Sequence, residues 1–144
     1  MVVANADWAN RRTRGVALRR VELRLVRLTG AELGESTFAD VTFAGCRLDL
    51  VGLRFAGLER VVFRDCRMSE CDLYGATLKD VVFERCELRG ARFTGVTVER
   101  VDLVGCDLAG ADGVDALRGA RVPLGDVLAN APTFARALGI EIVD

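Results

Sequence analysis

Cysteine is the residue type in this sequence with the greatest capacity for chemistry, because a thiolate can act as a nucleophile, a metal ligand or a disulfide partner. The five cysteines are Cys46, Cys66, Cys71, Cys86 and Cys106. They include no C-x-x-C pair, and an odd number cannot form a complete set of disulfides. The spacing therefore indicates neither a zinc site nor a disulfide framework.

Other residues suited to catalysis are scarce. The chain has no histidine and a single tyrosine, and its only lysine is Lys79. Carboxylates alternate with arginines, and no glycine-rich phosphate loop precedes a helix. We therefore expect no enzyme activity, no catalytic or cofactor-binding residue and no bound metal.

A strict repeat of five residues runs through the chain and places every cysteine in one column. Every fifth residue from Leu18 to Leu108 is apolar. A second column, which starts two residues earlier and runs from Val16 to Ala111, contains only Val, Ala or Cys, with Ser36 as the one exception. The remaining three columns carry nearly all of the charge and the turn-forming glycines.

A period of five fits neither regular element. On an α-helix it advances by about 500°, so the apolar stripe would wander, and on a β-strand it changes face at each step. The backbone must instead turn a corner every five residues, with two inward side chains between corners. Glycine tolerates a positive φ, and it recurs at this corner position.

A second period of twenty residues closes the coil. Like residues recur at this spacing, as in the series Val21, Val41, Val61, Val81 and Val101. Four pentapeptides therefore form one coil with a square cross-section, and four to five coils stacked about 4.8 Å apart give a rod roughly 24 Å long. Each coil fills its own interior, so we expect no ligand cavity. The cysteines become buried, reduced thiols, because side chains stacked in register point the same way and disfavour a disulfide.

The motif small residue–polar–Leu/Phe–polar–Gly resembles the pentapeptide-repeat family. Close matches are Ala31-Glu32-Leu33, Cys71-Asp72-Leu73-Tyr74-Gly75, Ala91-Arg92-Phe93-Thr94-Gly95 and Cys106-Asp107-Leu108-Ala109-Gly110. The resemblance implies an all-β fold, a right-handed quadrilateral β-helix, whose handedness comes from the family alone. We divide the chain into an N-terminal cap segment (1–15), the repeat β-helix (16–112) and a C-terminal cap (113–144).

The C-terminal cap is predicted to contain one or two short α-helices and a final strand. Pro123 suits the first position of a helix, Gly139 suits the position after one, and Ile140, Ile142 and Val143 predict the strand. The cap is expected to seal the open coil. Alternatively it forms a homodimer interface, as the resemblance to topoisomerase-protecting family members implies. The contact residues are Leu124, Val127, Leu128, Phe134 and Leu138.

Charge and hydropathy restrict the classes of partner. The chain has 20 basic and 21 acidic residues, which fits neither a strongly basic nucleic-acid-binding protein nor a strongly acidic DNA mimic. Arginines outnumber acids between Arg11 and Arg27, which we interpret as a solvated end turn, and Trp8 is expected to plug that end. No stretch resembles a signal peptide or a membrane span, so we expect a cytoplasmic protein without membrane contact.

Three outward features are candidates for recognition. A corner ladder of alternating charge is expected to form a continuous row of ion pairs that sets the register between coils: Arg20, Asp40, Arg60, Asp80 and Arg100. Outward apolar residues are candidate partner contacts: Leu25, Leu50, Phe55, Val62 and Val82. A stack of three arginines is either a solvated stripe or a site for an anionic partner surface: Arg27, Arg47 and Arg67.

These features favour a non-enzymatic interaction module that presents a rigid surface to an unidentified protein partner. The alternative is mimicry of duplex DNA to bind and protect DNA gyrase, which the resemblance implies for family members that give quinolone or toxin resistance. Arginines such as Arg60, Arg64 and Arg85 break the carboxylate rows that a mimic needs. A purely structural or accessory role stays open. We expect no direct binding of nucleic acid, and either a monomer or a C-terminal homodimer.

Overall fold

A computed structural model describes all residues from Met1 to Asp144. Its strands form one parallel sheet in chain order, and each residue pairs with the residue twenty positions later. The strands are β1 (Val2–Ala4), β2 (Ala17–Arg24), β3 (Thr37–Ala44), β4 (Gly57–Arg64), β5 (Thr77–Glu84) and β6 (Thr97–Val104). The chain therefore winds into a β-helix with twenty residues per coil, as the two sequence periods predicted.

Each coil has four outward faces. Face 1 contains residues 17–19, face 2 residues 21–24, face 3 residues 26–29 and face 4 residues 31–34, each with its equivalents every twenty residues. Strands β2 to β6 bend midway and so cover faces 1 and 2. On faces 3 and 4 the coils are joined by single bridges, such as Arg27 to Arg47 and Glu32 to Gly52.

The corners between faces require a left-handed backbone. Every fifth residue from Asn5 to Gly110 has a positive φ, and many of these residues are not glycine. This conformation costs a non-glycine residue about 1–2 kcal/mol, because its Cβ approaches the following carbonyl oxygen. The corner requirement therefore explains the recurring glycines, and it makes each bulky corner residue a position that needs its own explanation.

The core follows the two inward columns and fills the central coils, where the large side chains have almost no exposed surface. The rings of Phe43 and Phe63 stack at 4.8 Å, and those of Phe63 and Phe83 at 5.0 Å, so like residues lie on like residues from coil to coil. Ser36, the one polar residue of the small column, is buried, and its hydroxyl oxygen accepts a hydrogen bond from Val16 N–H at 3.1 Å. The exception to the pattern is therefore satisfied by the backbone.

The coil path begins near the N-terminus. β1 pairs with β2, and bridges join Asp7 to Arg27 and Arg12 to Glu32. The segment predicted as an N-terminal cap thus follows the coil path. Trp8 packs half-buried against the core, beside an apolar cavity of about 220 Å³.

The C-terminal segment consists of a 3-10 helix (Val114–Leu117) and two short α-helices, α1 (Leu124–Ala129) and α2 (Ala131–Ala137). The predicted terminal strand is wrong: residues 139–144 form no strand. Ile140 N–H donates to Ala135 O at 2.8 Å, so the chain leaves α2 without aligning along a sheet edge. None of the helices is both long and apolar enough to span a membrane.

Asn130, between α1 and α2, covers the last coil, and its side chain makes the two hydrogen bonds that a backbone peptide group makes on the preceding coil. One coil earlier, Asp107 N–H donates to Cys86 O at 3.1 Å, and Asp107 O accepts from Leu88 N–H at 2.8 Å. On the last coil the side chain of Asn130 makes the same pair: Nδ2 donates to Cys106 O at 3.1 Å, and Oδ1 accepts from Leu108 N–H at 2.9 Å. The cap therefore satisfies the polar edge of the β-helix.

Candidate functional site

The interior carries no reactive site. All five cysteines are buried and free of disulfides, and thiols such as Cys46 and Cys66 donate to carbonyl oxygens of the preceding coil, at 3.2 Å to Leu23 O and 3.3 Å to Phe43 O. Burial raises the pKa of the Cys71 thiol above its ordinary value. No group of His, Cys, Asp or Glu side chains is arranged to hold a metal ion. The cysteines therefore act as small core residues.

The burial of the cysteines leads to a direct prediction. Ellman's reagent at pH 8 should detect almost no thiol in the folded protein, and all five thiols after denaturation in guanidinium chloride. The denatured sample is the internal control for the total. Rapid labelling of even one thiol in the native protein would show that part of the cysteine column is open to solvent.

The corner ladder is divided into separate pairs and is not the continuous row expected from the sequence. Arg60 reaches back to Asp40 with two bonds, Nε–Oδ1 at 2.7 Å and Nη2–Oδ2 at 3.1 Å. Arg100 makes the same paired contact with Asp80, while Arg20 forms no ion pair. Each of the two arginines pairs with the aspartate of the preceding coil, and no pair joins Arg60 to Asp80, so the row is interrupted between them.

A second element of these pairs escaped the sequence analysis. Both paired arginines also bond the glutamate that precedes them, with Arg60 Nη1 at 2.6 Å from Glu59 Oε1 and Arg100 Nη1 at 2.8 Å from Glu99 Oε1. A third such group on another corner joins Arg85 to Glu84 and Asp65. The signal that could have revealed them is a Glu-Arg dipeptide with an aspartate twenty residues before the arginine.

The corner carboxylates titrate at lowered pKa. A hydrogen bond from Arg60 lowers the pKa of Asp40, and one from Arg100 lowers that of Asp80. A carboxyl with a lowered folded-state pKa adds stability above its unfolded pKa of about 4, and this stability is lost as the pH falls through the folded value. The ion pairs therefore act at neutral pH and are removed in acid.

Reversing one corner charge should have only a small effect. Asp80→Arg removes the partner of Arg100 and adds a third positive charge between Arg60 and Arg100, but all three side chains can turn into solvent. We expect a native circular dichroism spectrum and a slightly lower melting midpoint, with the difference shrinking in high salt. Asp80→Asn, which removes the charge alone, is the control. Unfolding of the Asp80→Arg variant at room temperature would show that the pairs are essential for coil register.

An aromatic cluster, the aromatic ledge, lies at the corner between faces 4 and 1. It consists of Arg54, Phe55 and Tyr74. The Phe55 ring meets the Tyr74 ring edge-on, with centroids 5.6 Å apart, and the Arg54 guanidinium carbon lies 5.3 Å from the Tyr74 centroid. Phe55 is 57% exposed, and its backbone is left-handed, with a φ of 58°. Its ring covers Gly75 on the next coil. The ledge is thus a raised apolar surface above glycine backbone.

Phe55 was predicted from the sequence as a candidate contact, but Tyr74 was not. The two residues are nineteen positions apart, and they meet only because Tyr74 occupies the outward position next to the same corner on the following coil. Once the period of twenty is known, a search for aromatic residues at adjacent outward positions of successive coils would have found the pair. The other apolar candidates are placed separately: Leu25 and Leu50 are exposed at other corners, and Val62 and Val82 lie side by side, half-buried, on face 2.

The arginine column consists of Arg27, Arg47 and Arg67 on face 3. Bridges join the three residues on successive coils, and all three side chains are exposed. Arg27 pairs with Asp7 at 3.2 Å, whereas neither Arg47 nor Arg67 forms an ion pair. The structure therefore places together the three arginines that the sequence grouped.

The candidate contact residues of the cap are mostly uncovered. Leu124, Leu128 and Leu138 are exposed, whereas Phe134 packs against the core. Val127 and Phe134 line an apolar cavity of about 630 Å³ between the last coil and the helices. The cap therefore covers the last coil with some of its apolar residues, such as Phe134, and leaves the three leucines on the surface.

Comparison with known proteins agrees with this architecture. The family model for the pentapeptide repeat region matches residues 16–93 and 36–112. HetL, a pentapeptide repeat protein involved in heterocyst differentiation regulation in the cyanobacterium Nostoc, is 26% identical with a TM-score of 0.65. The match covers 68% of this chain and 41% of HetL, so the chain spans less than half the length of that protein.

A second solved structure supports the fold alone. QnrB1, a plasmid-mediated fluoroquinolone resistance protein, is 15% identical with a TM-score of 0.50, over 96% of this chain and 100% of that chain. No protein of curated function matches the sequence significantly. The repeat match extends over more than half of the sequence and coincides with the coils of the structure, so the chain belongs to the pentapeptide-repeat family.

Proposed function

We propose that this chain is a non-enzymatic protein-binding module whose aromatic ledge (Arg54, Phe55 and Tyr74) contacts a partner protein. The observation that carries this proposal is the contact of the exposed corner residue Phe55 with a second aromatic ring, that of Tyr74, which in turn lies against the Arg54 guanidinium. A left-handed backbone costs a residue such as phenylalanine about 1–2 kcal/mol, which glycine avoids at equivalent corners. Phe55 combines that cost with an exposed apolar ring, and residues held in sparsely populated backbone conformations cluster at functional sites.

The composition of the ledge fits protein recognition. Aromatic residues and arginine dominate the small groups of residues that carry most of the binding energy of protein interfaces. Tyr74 holds the Phe55 ring from the side, and Arg54 is held in turn by Asp72, with Nε 2.6 Å from Oδ2. The ledge is therefore ordered before binding, which reduces the entropy that a partner must overcome.

Affinity capture with matched variants tests the ledge. The immobilised wild type, a Phe55→Gly/Tyr74→Ser double variant and a Leu50→Ser control are exposed to the same cell lysate, and the captured proteins are quantified by mass spectrometry. Leu50 is an exposed apolar corner residue with a positive φ outside the ledge, so it controls for loss of apolar surface. We expect at least one protein that both the wild type and the control retain about tenfold more strongly than the double variant. Identical capture by all three would refute the ledge as the binding site.

Action on DNA gyrase as a DNA mimic is the alternative, and the charges favour it less. A mimic needs rows of free carboxylates, whereas Asp40, Asp65 and Asp80 are each held by an arginine. We therefore expect no effect in a gyrase supercoiling assay with and without a fluoroquinolone. Inhibition or drug rescue at micromolar protein would support the alternative.

The exposed cap residues support a further option for assembly. Leu124, Leu128 and Leu138 leave an apolar surface at one end of the rod, which a second copy of the chain would cover. We propose this end as the homodimer contact if the protein is not a monomer. Light scattering after size exclusion, with Leu124→Ser/Leu128→Ser as the comparison, measures the assembly state.

A further inference from the structure

The arginine column (Arg27, Arg47 and Arg67) departs from the charge pattern of the surface around it. Other neighbouring coils pair opposite charges, as in Arg60 with Asp40 and Arg64 with Glu84. In the column, like charges lie on successive coils at the strand spacing of about 4.8 Å. Like charges directly opposite each other on neighbouring strands are destabilising. The column therefore adds no stabilising pair between its own coils, and a binding role would explain it.

The charge of the column is available to a ligand. Arg47 and Arg67 form no ion pair, and the next residue of the column, Glu87, forms none either. Arg27 is held by Asp7 at the N-terminal end of the same column. The exposed side chains without an ion pair are therefore Arg47, Arg67 and Glu87, which follow one another along the rod and carry two positive charges and then a negative one.

A groove beside the column supplies space and an apolar contact. It has a volume of about 420 Å³ and is bordered by the column and by Leu25, which is 64% exposed. Gly45 lies in the lining at the corner between Leu25 and Asp65, and because it has no side chain it leaves the groove open there. Asp65 is the one acidic residue of the lining, and Arg85 holds it with bonds of 2.8 and 3.2 Å. The groove therefore keeps a net positive charge next to an apolar wall.

The spacing of the column distinguishes between kinds of partner backbone. On an α-helix, side chains three or four residues apart share a face and are separated by about 4.5–6 Å along the axis. On an extended strand, side chains of one face are about 6.7 Å apart. Coils about 4.8 Å apart match the helix at each step, whereas a strand is out of step by nearly 4 Å after two coils.

We propose that the arginine column binds a partner helix that carries acidic side chains on two successive turns and a basic side chain on the next. The acidic side chains pair with Arg47 and Arg67, the basic one pairs with Glu87, and an apolar residue of the helix covers Leu25. The negative residue at the end of the column fixes the register, because a third acid there would be repelled. This surface is separate from the aromatic ledge, so either can bind without the other.

The test uses designed helical peptides as probes, because the natural partner is unidentified. Fluorescein-labelled alanine-rich peptides carry Glu, Glu and Lys on one face, or the same residues scrambled around the helix, and a fluorescein-labelled DNA duplex tests phosphate binding. Fluorescence anisotropy is measured with the wild type, Arg47→Gln/Arg67→Gln, and the matched control Arg19→Gln/Arg20→Gln, which removes two other unpaired arginines. Phe55→Gly reports on the ledge separately. Melting curves confirm that each variant is folded.

The proposal predicts saturable binding of the patterned peptide that weakens by about tenfold or more in Arg47→Gln/Arg67→Gln and changes little in the Arg19→Gln/Arg20→Gln and Phe55→Gly variants. Arg47→Glu/Arg67→Glu should in turn select a peptide with three lysines on one face. Equal binding of the patterned and scrambled peptides, an equal loss in both arginine double variants, or no peptide binding would overturn the proposal. Binding of the duplex that depends on Arg47 and Arg67, without peptide binding, would assign the column to phosphates instead.

Discussion

Replacing Phe63 with aspartate is expected to unfold the β-helix at room temperature. Phe63 has no exposed surface, and its ring lies between those of Phe43, at 4.8 Å, and Phe83, at 5.0 Å. Truncation of a buried phenylalanine costs about 3–5 kcal/mol, and an unpaired carboxylate in the same place adds several more. Together these approach or exceed the total stability of about 5–15 kcal/mol that is typical of a domain.

Far-UV circular dichroism and chemical denaturation measure this effect. Val62→Asp is the matched control, because Val62 is the adjacent residue, points outward and lies between Thr42 and Val82 on face 2. We expect the control to keep a native spectrum and to lose little stability. A native spectrum and an unchanged denaturation midpoint for Phe63→Asp would mean that the inward column is wrongly assigned.

Replacing Asn130 with leucine should have the second-largest effect. Leucine has a similar volume but can bond neither Leu108 N–H nor Cys106 O, both of which Asn130 satisfies in the structure. Asn130 is only 6% exposed, so water cannot readily replace the lost bonds. An unsatisfied buried polar group costs about 1–3 kcal/mol, so we expect a loss of roughly 3 kcal/mol.

The location of the loss is as informative as its size. Because each coil contacts only its neighbours, the last coil should open first, and hydrogen exchange should accelerate at Leu108 before it changes in the central coils. Asp126→Ala is the control, since it removes one exposed acceptor, that of Gly105 N–H. Equal and small losses in the two variants would show that the backbone-like bonds of Asn130 are not needed to close the rod.

The fold was predictable because its constraints are periodic. The period of five determines which side chains point inward, and the period of twenty determines which coils stack, so the core and the four faces follow from residue types alone. Handedness does not follow from spacing. The terminal strand was predicted from Ile140, Ile142 and Val143, whose alternation is too short to form a strand where no sheet edge pairs with it.

The side-chain contacts on the surface depend on distances between atoms, which the two sequence periods do not specify. Asp40 and Asp80 both lie one coil away from Arg60, but Arg60 pairs with Asp40 alone and Asp80 pairs with Arg100, so the ladder forms two pairs. The backbone-like role of Asn130 depends on how α1 and α2 cross the last coil. Tyr74 joins Phe55 only across two coils. Contacts of this kind require coordinates, although the Glu-Arg dipeptides and the aromatic spacing were visible in the sequence.

The free energy of unfolding of the Phe55→Gly variant tests most directly whether Phe55 serves recognition and not stability. Glycine relieves the left-handed strain of about 1–2 kcal/mol and loses the contacts of the ring with Tyr74 and Gly75, so the two effects should nearly cancel. We predict a change within about 1 kcal/mol in denaturant unfolding. A loss of about 3 kcal/mol or more, as for a buried aromatic residue, would contradict the proposal and make Phe55 part of the fold.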